Sequence, residues 1–331
     1  MMKLSRLMLA AVAVCGTSAV MAQSSVTIYG RVNTTIEQQK LGDNKATGVA
    51  NNNSRIGFKG VEDLGNGLKA GFQLEAGFGS DDGSGPLTFK RQSEVNLSGN
   101  FGMVRLGNFY PESYYATSDY IGMHNHETGS SSDALYYDAA WFDGTGTGNK
   151  LAYRTPTFNN FWAEASVSLH EKARTGAAAV NKNAYDLAAN YNNGPLSLGA
   201  GYSYWNSNYQ AALRGLYTFG QFTVGAYYQR NKDDNAILGA GAGTRNNFRL
   251  SGMYVLNASE FHVNVGHVDS WSKRKDTAAT QWTLGYNYNL SKRTKVYTYY
   301  TKINNKKAAE YGTGVAGDDF SSFALGIRHN F

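Results

Sequence analysis

Leu68-Lys-Ala-Gly-Phe-Gln-Leu-Glu-Ala-Gly-Phe78 alternates apolar and non-apolar residues without a break. Leu68, Ala70, Phe72, Leu74, Ala76 and Phe78 fall on one face of an extended chain, and Lys69, Gly71, Gln73, Glu75 and Gly77 on the other, because successive strand side chains point to opposite sides. The same period sets Val26, Ile28, Val32 and Ile36 against Thr27, Tyr29, Arg31 and Asn33. It sets Ile56 and Phe58 against Arg55, Gly57 and Lys59, and it returns in segments opening at Ala163, Leu196, Phe222, Phe248, Phe261, Leu284 and Phe323.

The connections alternate as well. Short turns are expected at Glu62 to Gly67, Gly99-Asn100, Pro156 to Asn160, Asn192 to Pro195, Phe219-Gly220, Asn257 to Glu260 and Ser291 to Arg293. Longer polar links are expected at Gln39 to Asn53, Ser80 to Gly85, 111–149, His170 to Asn183, Asn206 to Tyr209, Arg230 to Arg245, Asp269 to Thr280 and Ile303 to Asp319. Seven turns and eight links separate sixteen strands, read as one domain over 23–331.

A soluble antiparallel sheet also alternates. Here the strands run near ten residues rather than the usual five or six or so. Their apolar face carries Leu, Val, Ala and Phe with aromatics near the ends, the pattern of a lipid-facing band. The opposite face repeats Arg, Lys, Glu, Gln, Asn and Thr, too polar for a dry core. The fold expected is all-β: a 16-stranded antiparallel transmembrane β-barrel.

Residues 1–22 stand apart. Lys3 and Arg6 precede the apolar run Leu7 to Val14, and Val20-Met21-Ala22 supplies a small-residue cleavage site, the pattern of a cleaved secretory signal. Val14 before Cys15 fits a lipidation site poorly, and cleavage removes this single cysteine, so no disulfide is expected. The mature chain has 309 residues (331 minus 22) and 29 basic against 25 acidic residues, a net +4. Export makes nucleic acid an implausible partner. Beyond residue 22 no apolar run approaches the ~20 residues of a membrane helix.

Between the strands Phe101 to Tyr110 and Leu151 to Thr155 lies a connection with no sustained period. Links that long are generally functional or disordered. Six aromatics from Tyr114 to Trp141, with Phe142 beyond, argue for a segment that packs, a plug or cover.

Ser25-Val-Thr-Ile-Tyr-Gly30-Arg-Val, Ser54-Arg-Ile-Gly-Phe-Lys-Gly60-Val-Glu-Asp-Leu-Gly-Asn-Gly-Leu-Lys-Ala70-Gly-Phe-Gln-Leu-Glu75, Phe101-Gly-Met-Val-Arg-Leu-Gly-Asn108, Leu290-Ser-Lys-Arg-Thr294 and Gly326-Ile-Arg-His-Asn-Phe331 resemble the general porins of Gram-negative β-proteobacteria. The likeness spans both ends and most strands. It implies an outer-membrane homotrimer among lipids and lipopolysaccharide, passing small hydrophilic solutes and ions. It further implies an inward-folded third outer loop, here 111–149, and a terminal Phe331 read by the outer-membrane assembly machinery.

A wide aqueous barrel needs a constriction to discriminate between solutes, and rings of Arg or Lys favour anions. Parity turns Arg31, Arg55, Lys59, Lys69, Arg105, Arg214, Arg249 and Arg328 inward, since a Lys or Arg facing mid-bilayer lipid costs roughly 2–4 kcal/mol. The resemblance implies a constriction wall at Arg55 and at Lys90-Arg91. Parity from Val95 and Leu97 turns Lys90 inward and Arg91 outward, so both stay open. A third wall arginine of some family members is absent: Gly144 to Gly148 occupies its region, with Lys150 nearby. The expectation is a weak preference for anions. Glu112, Asp119, Glu127 and Asp133 are the loop acids available to face the basic wall.

His124-Asn-His-Glu127 lacks the spacing of a metal motif, and Gly239 to Gly243 has no following helix to cradle a phosphate. No nucleophile, base and orienter fall into an enzymatic arrangement, and no cofactor or metal is expected. Two alternatives remain: a surface adhesin or structural anchor with a closed lumen, and a lipolytic enzyme acting at the barrel rim.

Overall fold

A computed structural model describes residues 25–119, 121–124, 132–137, 147–170, 181–234 and 241–331. The expected leader 1–22 and Glu127 lie outside these residues, and of Asp133 only the backbone is described. The strands are β1 (Ser25–Leu41), β2 (Asn44–Asn51), β3 (Arg55–Gly65), β4 (Leu68–Gly77), β5 (Gln92–Gly99) and β6 (Gly102–Asn108). They continue with β7 (Lys150–Arg154), β8 (Phe161–Ser168), β9 (Ala184–Asn193), β10 (Leu196–Trp205), β11 (Asn208–Phe219) and β12 (Phe222–Asp233). The remainder are β13 (Gly243–Leu256), β14 (Ser259–Val268), β15 (Ala279–Asn289), β16 (Thr294–Asn305) and β17 (Phe320–Asn330).

Every pairing is antiparallel between neighbours, and β1 pairs with β17 to close the ring. Both β2 and β3 lie along β1, through Thr34↔Asn51 and Arg31↔Arg55. They are two halves of one stave, interrupted at Asn52–Ser54, where Asn53 takes a left-handed φ of 60°. The seventeen strands therefore make sixteen staves. Phe331 extends the closure, exchanging two backbone hydrogen bonds of 3.1 Å with Gly30.

The alternation expected from sequence is the alternation of the wall. On β1, Val26, Ile28 and Ile36 are 59–64% exposed outward, while Arg31, Asn33, Thr35 and Glu37 are at most 4% exposed. An apolar outside and a hydrogen-bonded polar inside invert the arrangement of a water-soluble protein. No described helix is long and apolar enough to cross a membrane, and the spanning elements are the strands. At the short-turn end, Tyr217, Phe219, Phe222, Tyr254, Phe261 and Tyr286 form a continuous row with ring centroids 4.6–6.4 Å apart, a girdle built of cross-strand aromatic pairs.

Two links expected to be long are tight hairpins. Gln39 to Asn53 is strand except at Gly42-Asp43 and the Asn52–Ser54 break. Asn206 to Tyr209 turns on Asn206 and Ser207, whose φ values are 45° and 72°. Beyond the apolar band neither face is greasy, so the alternation that marks a strand disappears while the ladder of hydrogen bonds continues.

The connection 109–149 holds helix α1 (Glu112–Thr117) and a 3-10 turn, Ser132–Leu135. The helix packs on β9, β10 and β11. Gly199 and Gly201 make this approach possible: a Cβ at Gly199 would collide with the Ala116 carbonyl, and one at Gly201 would lie 2.7 Å from Ser113 Cβ. Both glycines alternate with the outward Leu198 and Tyr202, so the helix meets the inward face of β10. Tyr114, Ile121 and Tyr136 then cluster with Ala212 and Tyr227, and Leu135 with Val268, Ile303 and Phe320.

Candidate pore constriction

The break at Asn53 organises the first charged group. Its backbone carbonyl accepts from Arg31 Nε at 3.0 Å, and its side-chain oxygen from Arg91 Nη1 at 2.6 Å. Arg91 Nε donates to Glu75 Oε1 at 2.7 Å, and Arg55 Nε lies 3.6 Å from Glu75 Oε2. The Tyr29 hydroxyl also donates to Glu75, at 3.0 Å. Two guanidiniums, Arg55 and Arg91, thus gather on the Glu75 carboxylate, with Arg31 tied to Asn53 beside them. Lys59 sits apart and exposed, its ammonium 5.2 Å from the centre of the Tyr29 ring.

Arg91 belongs to this group and Lys90 does not. Strand β5 starts only at Gln92, so parity counted back from Val95 fails before it reaches either residue. Lys90 is exposed, and its backbone carbonyl accepts from Asn108 Nδ2 at 2.8 Å. Arg91 lies against the connection, its guanidinium 5.7 Å from the Tyr110 ring centre. Burial pushes the neighbouring Tyr115 phenol upward, with Asp119 and Tyr110 adding to the rise and Arg91 opposing it. Asp119 accepts from the Tyr114 hydroxyl at 3.2 Å.

A second group corrects the expectation for Arg105. It is buried between two carboxylates, donating from Nε to Glu94 at 3.0 Å and from Nη1 to Glu164 at 3.1 Å, with Phe109 under its plane at 4.0 Å. Arg154 continues the chain, 2.8 Å from both Glu164 and Glu112, and covers Trp162 at 4.3 Å. Two arginines against three glutamates leave this side without a cationic excess, and Arg105 serves as an internal tie. Arg154, Glu164, Glu94 and Glu75 were not singled out by sequence. Their inward parity was visible, and Arg154 and Glu164 face each other across one hairpin, but the Arg105–Glu164 pair joins strands on either side of the 109–149 connection.

Glu112 is held by Arg154 and by position. The helix start has no side-chain cap of its own. Asp186 on β9 substitutes, accepting from Ser113 N at 3.1 Å and from Ser203 Oγ at 2.6 Å, and so satisfies one of the helix's orphan donors. Burial pushes the Glu112 carboxyl up to about 7; Arg154 and Arg105 oppose this, while Glu164 and Asp186 reinforce it. Beside the helix lies a cavity of about 610 Å³ bordered by Arg105, Glu112, Tyr115, Arg154, Trp162 and Arg214.

Farther along, the His124 ring shares a 2.9 Å hydrogen bond with Asn264 and lies edge-on to His262 at 6.0 Å. Burial, then His262 and Arg249, push it down to about 3, so it stays neutral. Asn125, His126 and Glu127 lie outside the described residues. Among the described residues no three His, Cys, Asp or Glu are grouped to hold a metal.

A closed sixteen-stave barrel, apolar outside and charged within, defines a channel-type membrane protein. Residues 9–308 match the Gram-negative porin family. The chain is 35% identical to outer membrane porin protein 32 of Delftia acidovorans, an alignment covering 100% of both. An outer membrane porin of Bordetella pertussis is 26% identical over 99% of this chain and 100% of its own. The solved anion-selective porin from Comamonas acidovorans superposes with a TM-score of 0.78 at 31% identity, covering 93% of this chain and 100% of the other. The chain belongs to the Gram-negative porin family. It is an outer-membrane protein of a family of passive channels and not of enzymes.

Proposed function

We propose that this porin passes small hydrophilic solutes and ions by passive diffusion with a weak preference for anions, through a passage between the Arg31–Arg55–Arg91 wall and the connection 109–149, folded inward as the third outer loop. The observation that carries this reading is two guanidiniums, Arg55 and Arg91, on one carboxylate, Glu75, with Arg31 tied to Asn53 beside them. The similarity to the anion-selective porin from Comamonas acidovorans supports its sign. The weakness follows from the other group, where Glu94, Glu164 and Glu112 offset Arg105 and Arg154. The contacts of α1 with Gly199 and Gly201 support the inward course of the loop.

A homotrimer, with lipopolysaccharide and lipid around it, is proposed here as the assembly that the family resemblance implies. So are cleavage of residues 1–22 and recognition of Phe331 by the assembly machinery. Reversal potentials across planar bilayers in a potassium chloride gradient test the selectivity. A value of anion-preferring sign is expected, and a clear cation preference would reject the reading. A closed-lumen anchor or adhesin would give no steady conductance steps.

A further inference from the structure

A second cavity, of about 620 Å³, opens at the long-loop end on elements other than those of the charged wall. Arg245 of β13 forms its base. The guanidinium lies 4.6 Å from the Trp271 ring centre and 5.6 Å from those of Tyr137 and Tyr311, and it donates to the Leu135 carbonyl at 3.2 Å and to the Tyr311 hydroxyl. Trp271 meets Tyr137 edge-on at 5.3 Å. The β14–β15 connection is locked from within: Trp271 N donates to Thr277 Oγ1 at 2.9 Å, and Thr277 Oγ1 to the Arg274 carbonyl at 3.1 Å. The rings are therefore set before any solute arrives, and binding there orders little.

The remaining border is small and charged. Alanines 134, 308 and 309 leave the space open, while Arg274, Lys307 and Glu310 stand at the rim. With Arg245, that makes three cations to one acid. The volume falls within the range of small-molecule sites, which combine apolar or aromatic walls with a few placed polar groups. Fixed aromatic faces and edges reward a planar ring by offset or edge contact. The cationic excess rewards a carboxylate through charge-assisted hydrogen bonds. An aliphatic acid leaves the rings unmatched, and an aromatic amine meets the wrong charge.

We infer that this cavity is a capture site for small aromatic carboxylates at the outer mouth of the channel. Occupancy there raises the local concentration of such solutes ahead of the passage. The inference goes beyond diffusion through the pore, and binding can be read without current.

Saturation-transfer NMR on detergent-solubilised protein, with benzoate, acetate and benzylamine as probes, tests it. Benzoate is expected to bind saturably and at least about tenfold more tightly than acetate or benzylamine. The double variant Arg274→Ala/Lys307→Ala removes two exposed rim cations and should weaken benzoate by about tenfold. Its chloride conductance shows separately that the barrel has formed. Equal binding of benzoate and benzylamine, parity with acetate, unchanged affinity in the double variant, or no saturation by benzoate would each overturn the assignment.

Discussion

Arg31 and Arg55 stand directly opposite one another in the register of β1 and β3. Like charges placed so are ordinarily unfavourable in a sheet. Here Asn53 holds the buried Arg31, while Glu75 holds Arg55, whose partly exposed side chain can act on passing ions.

Reversing one member tests that action. A unit charge about 10 Å from an ion path in water is worth about 0.4 kcal/mol, a factor of about two in occupancy. Arg55→Glu changes the wall by two charges, lowering chloride and raising potassium occupancy about fourfold each, so the chloride-to-potassium permeability ratio should fall about sixteenfold. An unchanged reversal potential would remove Arg55 from the constriction.

Glu75 is the opposing charge. Glu75→Gln leaves a hydrogen-bonding group for Arg91 and Tyr29 and removes the negative charge, so the chloride-to-potassium ratio should rise about fourfold by the same arithmetic. The measurement is again the reversal potential, and a shift toward cations would contradict the assignment.

The loop acid Glu112 makes a prediction about pH. Its carboxyl is raised from 4.5 to about 7, so between these values the packed helix holds a proton that the released helix has lost. Packing of α1 should therefore weaken as pH climbs through this window and be firmest below it. Hydrogen exchange of amides 113–118, corrected for its intrinsic pH dependence, should show protection falling toward pH 7. In Glu112→Gln that fall should vanish; if it persists, another group is responsible.

Gly199→Ala should act on the helix and spare the wall. The added methyl meets the Ala116 carbonyl, and overpacking of this kind costs about 1–3 kcal/mol. The strand ladders are untouched, so heat resistance of the barrel should hold while single-channel conductance changes. A variant with wild-type conductance would show that the helix does not sit against β10.

What could be read in advance divides by physical cause. Leu68 to Phe78 disclosed its faces because lipid on one side and water on the other impose a strict period of two. Outside the apolar band that contrast is gone, which is why the continuation of β1 to Leu41 looked like a loop. The Lys90/Arg91 ambiguity came from extending parity past a strand end that nothing in the composition marks. Arg31 and Arg55 were legible as inward cations, whereas the pairing of Arg105 with Glu164 was not. Pairing across strands is a property of register, and register with β8 lies beyond a connection that has no period at all.

The interrupted stave carries a last implication. Above Asn52 the first hairpin runs on β1 and β2 in unbroken alignment, Lys40 facing Lys45 and Leu41 facing Asn44. Growth or trimming at the Gly42-Asp43 tip is then quantised: residues added in matched pairs lengthen the ribbon, while an odd one forces a bulge. Because the hinge at Asn53 separates that ribbon from the arginines below, the surface of this porin can vary in reach while its passage keeps the same shape.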